Sequence, residues 1–231
     1  MNNVIEITGL TKIYNGSEVK VKAVNGIDIN FKEGEFTAVV GPSGSGKTTF
    51  LNMLGGLDRP TSGNVKIGGV NIWELSSRKL IDFRMNNIGF VFQSYNLIPV
   101  LTAGENVEFI MQLQGKHKKE REQRTQELLD AVGIGDRIKS RPSKLSGGQQ
   151  QRVAVARALA SKPEFILADE PTANLDSKAT SSLLELMSQI NRKFNTTFIF
   201  ATHDQRVMDK ATRIVTIEDG KVLKDEHFNR V

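Results

Sequence analysis

The chain has no cysteine among its 231 residues, which excludes disulfides and thiol chemistry and agrees with a reducing compartment. No apolar run approaches the ~20 residues of a membrane span, and the polar opening MNNVIEITG lacks the basic-then-apolar plan of a signal peptide. Both absences make the cytoplasm the expected location. Repeats of solenoid period and low-complexity stretches are missing too, so neither an array nor a disordered linker organises the sequence. The net charge of +5 permits anionic partners, but the basic residues are not gathered. The densest run, KHKKEREQR at 116–124, mixes both signs and flanks a helical pattern, which reads as a solvated helix face. No nucleic-acid partner is expected.

What is present is a 39% hydrophobic composition, ample for the core of one large domain or of one domain with a subdomain. IEITGL and VKVKAVNGIDINF alternate like strands, ending at Gly34 where a turn is expected. FTAVVG is a short apolar strand, a helix follows over Lys47–Leu54, and further short strands fall around NVKIGG and GFVFQ. From about 94 to 145 the chain is helix-rich: ENVEFIMQLQ, then REQRTQELLDAVG closed by Gly133, with Pro142 near the end. This stretch reads as a helical subdomain inserted into an α/β core made of residues 1–93 and 146–231. Strand–helix alternation resumes with FILAD and TFIFATH, and Asp219-Gly220 in IVTIEDGKVLKDE signals a hairpin. The expected fold class is α/β, with a mostly parallel core sheet, an antiparallel β flank and a helical subdomain.

GPSGSGKT at 41–48 fits G-x-x-x-x-G-K-[ST], directly follows the strand FTAVV and opens a helix, the context of a P-loop NTPase. Gly41, Gly44 and Gly46 let backbone N–H groups wrap a phosphate chain, Lys47 reaches the β- and γ-phosphates, and the Thr48 hydroxyl is placed for Mg²⁺. Ser43, Ser45 and Thr49 belong to the same phosphate-binding stretch. FILADE at 165–170 supplies a buried strand ending in two carboxylates, which packing does not explain. Because successive strand side chains point oppositely, Asp169 and Glu170 are expected to have different tasks. Asp169 is placed to hold Mg²⁺ through water and Glu170 to polarise the attacking water, against the plainer reading of two solvated acids before Pro171. GFVFQ and TFIFATH each deliver one polar residue, Gln93 and His203, at a strand's carboxyl end, where open α/β sheets bind ligands. Either alone is also an ordinary turn residue.

A second stretch, LSGGQQQRVAVARALA at 145–160, begins a helix that only Arg157 interrupts beyond Arg152, so the helix is expected to be buried. Ser146 and Gln149 fit a capping box. Gly147 and Gly148, each costing a helix about 1 kcal/mol against alanine, point instead to close approach of a phosphate at the helix start.

Over essentially its whole length the sequence resembles the ATPase subunit of ABC transporters: GPSGSGKT, Gln93, LSGGQ, FILADE, Asn174-Leu175-Asp176 and His203 occur in that family's order. The resemblance implies ATP and Mg²⁺ as cofactors, Tyr14 stacking on adenine from a loop before a strand, and His203 on the γ-phosphate. It implies that Gln93, beside the metal, senses that phosphate and relays to a membrane partner. Ser146, Gly147, Gly148 and Gln149 would complete the nucleotide site of a second copy, so that each nucleotide is held between two chains, and Asp176 is a further nucleotide-binding residue. Asn174 departs from the small residue many members carry. QSYNLIPVLTAGENVEF, QQQRVAVARALA and ADEPTANLD look like the lipoprotein-release, macrolide-export and cell-division branch. Its members are expected on the inner face of the membrane, where the permease docks near residues 93–106. NLIPVLT is too Pro-punctuated for a core helix, so Leu97 and Leu101 are expected to meet a permease helix. The function implied is powering export or extraction of a lipid-linked or amphipathic substrate. A regulatory clamp that signals to an extracytoplasmic enzyme without transport stays open. A chromosome or DNA-repair ATPase needs long heptad arms, and the roughly hundred residues between the two phosphate stretches contain none.

Overall fold

Apolar alternation and continuous apolar runs are sorted into two sheets. The computed structural model describes residues 2–15 and 20–228; Met1 and Val19, which begin two of the stretches quoted above, lie outside the described residues. Strands β1 (Asn3–Asn15) and β2 (Lys20–Lys32) pair antiparallel, and β1 also pairs antiparallel with β4 (Ser62–Ile67), which turns into the short β5 (Val70–Asn71). Alternate residues Ile5, Ile7, Ile27, Ile29 and Phe31 are buried, the pattern of a sheet packed on one face.

The second sheet has the order β10-β9-β3-β8-β7-β6. Its strands β3 (Phe36–Val40), β6 (Ile88–Phe92), β7 (Phe165–Asp169), β8 (Thr197–Ala201) and β9 (Arg213–Glu218) run parallel, and β10 (Lys221–His227) closes one edge antiparallel. Every residue of β3 and β8 is buried, as expected when both faces are covered. On β8, Phe198 and Phe200 join one core, while Ile199 and Ala201 join the other. The first core is completed by α3 (Ala103–Leu113), α4 (Lys118–Ala131), α5 (Gly147–Ala160) and α6 (Ser177–Phe194). The second is completed by α1 (Lys47–Leu54) and the antiparallel sheet. Helix α5 buries Val153 through Ala156 and Ala158 through Ala160, as its sequence foretold. A helix α7 (Gln205–Lys210) precedes β9.

The β9–β10 turn has Asp219 at φ 47° and Gly220 at φ 72°, the positive pair that a two-residue primed hairpin requires. Helix α2 (Ser77–Asn87), which the sequence reading did not pick out, buries no residue fully, so it carries little of the periodicity that reveals a helix. Arg213 ties the two sheets together: it donates to the Asn30 carbonyl of β2 at 2.7 Å and pairs with Glu35 and Asp225 at 2.9 and 2.7 Å.

Candidate active site

The carboxyl ends of β3, β6, β7 and β8 open onto a cleft of about 610 Å³. One wall is the loop from Gly41 into α1, and Gly41, Pro42, Ser43, Gly44, Gly46, Lys47, Thr48 and Thr49 all line it. Its glycines answer two different demands. A Cβ on Gly41 would sit 2.0 Å from the Ile217 carbonyl, and one on Gly46 2.1 Å from the Ala23 carbonyl, so these positions are fixed by neighbouring backbone. Gly44 has nothing within 4 Å of such a Cβ, and its φ of +78° is what calls for glycine. The result is a run of bare backbone facing open space, a fit for a chain of phosphates. The Ser45 hydroxyl is buried in this loop and has no hydrogen-bond partner among the described residues. Lys47 is folded over the loop, donating to the Gly41 and Pro42 carbonyls at 2.9 Å each. With three donors on an ammonium, one is left for a ligand in the cleft.

The opposite wall carries the acids. The Thr48 hydroxyl donates to Asp169 Oδ1 at 3.1 Å, joining the start of α1 to the end of β7. Burial pushes the Asp169 carboxyl above its ordinary value, and the neighbouring Glu170 adds to this, while the Thr48 hydrogen bond and the Lys47 charge oppose it. Among the described residues no three His, Cys, Asp or Glu side chains cluster as a metal cage. One hydroxyl and one carboxylate suit Mg²⁺, which takes few protein ligands and fills its shell with phosphate oxygens and water.

Glu170 lies one residue past β7, and strand alternation therefore does not set its direction. Its backbone is left-handed, φ 46°, a conformation that costs a non-glycine residue of order 1 kcal/mol or more and is concentrated at functional sites. This turn points the carboxylate at the ends of β8: Glu170 Oε1 is 2.7 Å from His203 Nδ1, and Thr202 donates to Oε2 at 3.4 Å. Asp169 and Glu170 thus have separate partners, through a backbone turn rather than the pleat. Gln93 and Ala173 complete the cleft with His203.

Ser146, Gly147, Gly148 and Gln149 do not line this cleft, and neither does Asp176. The capping box is formed: Ser146 Oγ accepts from Gln149 N at 3.3 Å, and Gln149 Oε1 from Ser146 N at 2.9 Å. Asp176 caps α6, accepting from Ala179 N at 2.8 Å. The two glycines also have neighbours in their own chain: a Cβ on Gly147 would come within 2.8 Å of the Tyr95 hydroxyl, and one on Gly148 within 3.2 Å of Ala179. Close packing inside the molecule therefore accounts for part of their presence.

Sequence reasoning missed what ties these stretches together. Tyr95 and Asn96 follow Gln93 with φ of 60° and 49°. The Tyr95 hydroxyl donates to the Asn174 carbonyl at 3.3 Å, and the Asn174 amide returns to the Gln93 carbonyl at 3.1 Å. Arg157 of α5 donates to the carbonyls of Tyr95 and Asn96 at 2.8 and 2.5 Å. The departure at Asn174 was the visible signal, since a long amide can bridge two loops where a small side chain cannot. Tyr14 corrects an expectation. It stands on β1 rather than in a loop before a strand, with its hydroxyl bonded to Asp58, and it does not itself line the cleft.

The family described as ABC transporter matches residues 24–173. An uncharacterized ABC transporter ATP-binding protein of Thermotoga maritima is 51% identical over 222 residues, covering 96% of this chain and 94% of that one. The lipoprotein-releasing system ATP-binding protein LolD 1 of Rhodopseudomonas palustris is 46% identical over 224 residues, 96% of this chain and 99% of its own. The macrolide export ATP-binding/permease protein MacB of Hyphomonas neptunium is 45% identical over 221 residues, 96% of this chain but 34% of that larger protein. Among solved structures, a dimeric ATP-binding cassette in a post-hydrolysis state, bound to ADP and Pi, matches with a TM-score of 0.89 and 41% identity, covering 98% of this chain and 100% of that one.

Proposed function

The chain belongs to the ABC transporter family as an ATP-binding ATPase subunit, and from that premise we propose that two copies close head-to-tail around ATP and drive a membrane permease. The observation that carries the reading is the separation of the two phosphate stretches: the cleft is lined by residues 41–44 and 46–49, Gln93, Glu170 and His203, whereas Ser146–Gln149 stand outside it. A two-fold pair of chains gives every stretch a use, because the partner's helix start can close over the phosphates held here. Residues 94–145 then act as a helical subdomain that carries Ser146–Gln149 toward the partner copy.

In this arrangement the loop amides and Lys47 hold the phosphates, with Tyr14 beneath the adenine. Thr48, Asp169 and Gln93 hold Mg²⁺, which when bound neutralises phosphate charge. Glu170 accepts a proton from the attacking water, and His203, bonded to that carboxylate, orients it and touches the γ-phosphate. Asp176 meets the nucleotide of the other copy. The permease helix docks near residues 93–106, placing the subunit on the inner face of the membrane. Relatives named for lipoprotein release and macrolide export support a lipid-linked or amphipathic substrate and outward extraction.

The test is Glu170→Gln. It should bind ATP, lose roughly 10²–10⁴ in turnover, the usual cost of losing a general base, and elute as a stable dimer with ATP on size exclusion. Turnover at the wild-type rate would remove Glu170 from the chemistry.

A further inference from the structure

Tyr14 is gripped by side chains that lie far from it in sequence. Its hydroxyl donates to Asp58 Oδ2. The Lys12 ammonium bonds Asp58 Oδ1, donates to the Arg59 carbonyl at 2.7 Å, and lies 4.9 Å from the centroid of the Tyr14 ring. Thr49, in the first turn of α1, acts on the same phenol, opposing the upward push on it. Asp58 sits on the turn that ends α1, where Leu57 N and Asp58 N both donate to the Asn52 carbonyl, at 2.8 and 3.2 Å. The turn that ends the helix opening on the phosphate loop therefore holds the phenol.

The residue stays 41% exposed, so area remains for an aromatic ligand to cover. A tyrosine at the end of a strand can turn about two side-chain torsions. Fixing its hydroxyl removes that freedom before any ligand arrives, which lowers the ordering cost of stacking. The bond's direction is also fixed. Burial pushes the Asp58 carboxyl up, but hydrogen bonds from Lys12 and Tyr14 and the Lys12 charge outweigh it and hold the group ionised. Burial and the Asp58 carboxylate together raise the Tyr14 phenol, so the proton stays on the ring oxygen.

We propose that Asp58, braced by Lys12, is a positioning residue for nucleotide binding, which holds the Tyr14 ring as a preset platform for the base. This rests on the reading of Tyr14 as the adenine platform. The role is selective for the base end of the ligand: the phosphates meet residues 41–49 directly and do not touch Asp58.

The experiment measures affinity for Mg-ATP and for Mg-tripolyphosphate by calorimetry on the full chain, with Asp58→Ala, Asp58→Asn, Tyr14→Ala and the double alanine variant. Asp58→Ala should weaken ATP about three- to tenfold, the effect of one hydrogen bond, and leave tripolyphosphate within about twofold. Asp58→Asn, whose amide oxygen still accepts from the phenol, should recover part of the loss. The double variant should bind ATP no more weakly than Tyr14→Ala, because both changes remove the same platform. Thermal melting without ligand shows whether each variant is folded. The proposal is overturned if Asp58→Ala binds ATP like the wild type, if ATP and tripolyphosphate weaken equally, or if its loss adds in full to that of Tyr14→Ala. Should Tyr14→Ala itself bind ATP normally, the platform reading falls and the Asp58 role falls with it. If Tyr14→Ala weakens ATP while Asp58→Ala does not, only the Asp58 role is lost.

Discussion

Asn106, 1% exposed, devotes its whole amide to one loop. Its oxygen accepts from Ile98 N at 2.8 Å, and its two hydrogens are shared among the carbonyls of Ile98, Leu101 and Thr102 at 3.1, 3.2 and 2.9 Å. The Thr102 and Ile98 carbonyls also accept from Asn106 N and Leu101 N, at 2.9 and 3.1 Å, but Ile98 N and the Leu101 carbonyl rely on this side chain in place of a strand or helix ladder. Asn106→Ala leaves Ile98 N and the Leu101 carbonyl without this partner and should cost about 2–4 kcal/mol of stability, read as a lower urea midpoint at an unchanged slope. A loss below about 0.5 kcal/mol would mean that water takes the place of the amide. At the same scale Glu170 shows what local sequence hides: its task depends on one left-handed residue that nothing in FILADE announces.

At the scale of an element, the segment that Asn106 fixes joins α3 in presenting apolar surface, though through different residues than the pattern NLIPVLT suggested. Leu97 is half-buried against the core, and Leu101 is half-buried too. Val100 is 70% exposed, and Phe109 and Leu113 on α3 are 40% and 56% exposed. The docking surface proposed near residues 93–106 is therefore better tested at Val100. Val100→Glu should leave folding and the isolated subunit's ATPase within about twofold of wild type, as surface changes generally do, and abolish stimulation by the permease in reconstituted vesicles. Leu97→Glu, at a partly buried position packed against the core, should instead lower stability by about 1–3 kcal/mol, since its apolar contacts are lost while the carboxylate keeps part of its water. If Val100→Glu still supports full transport, the permease docks elsewhere.

For the whole molecule, the decisive question is whether Ser146–Gln149 act on the chain's own nucleotide or on the partner's. Lys47→Ala damages the phosphate loop, and Ser146→Arg puts bulk and charge at the helix start, so either change spoils both composite sites of its own homodimer. Mixing the two should give heterodimers with one doubly damaged site and one intact site. In a Glu170→Gln background the mixture should trap about one ATP per heterodimer, as the symmetry requires, where each parent traps almost none. The absence of native cysteine lets subunit exchange be followed through one introduced thiol. Labelled heterodimers that trap no more ATP than their parents would leave the helix start as a cap and nothing else. Within one chain, Tyr95, Asn174 and Arg157 bind the loop after Gln93 to the loop after β7 and to α5.

The sequence by itself determined the parts whose causes are local. A strand, a glycine turn and a helix start follow one another in 36–54, so the phosphate loop was legible residue by residue, as were the capping box at Ser146 and the positive-φ pair at Asp219-Gly220. The short, mainly apolar strands announced the parallel core sheet, and their complete burial shows both of its faces covered. Tertiary structure alone decided what depends on residues brought together from afar. Tyr14 meets Asp58 across 44 positions and Glu170 meets His203 across 33, and neither spacing carries a periodic signal. Which apolar residues of 97–101 turn inward was likewise set by Asn106 and the core beneath, and α2 stayed invisible because it buries no complete face.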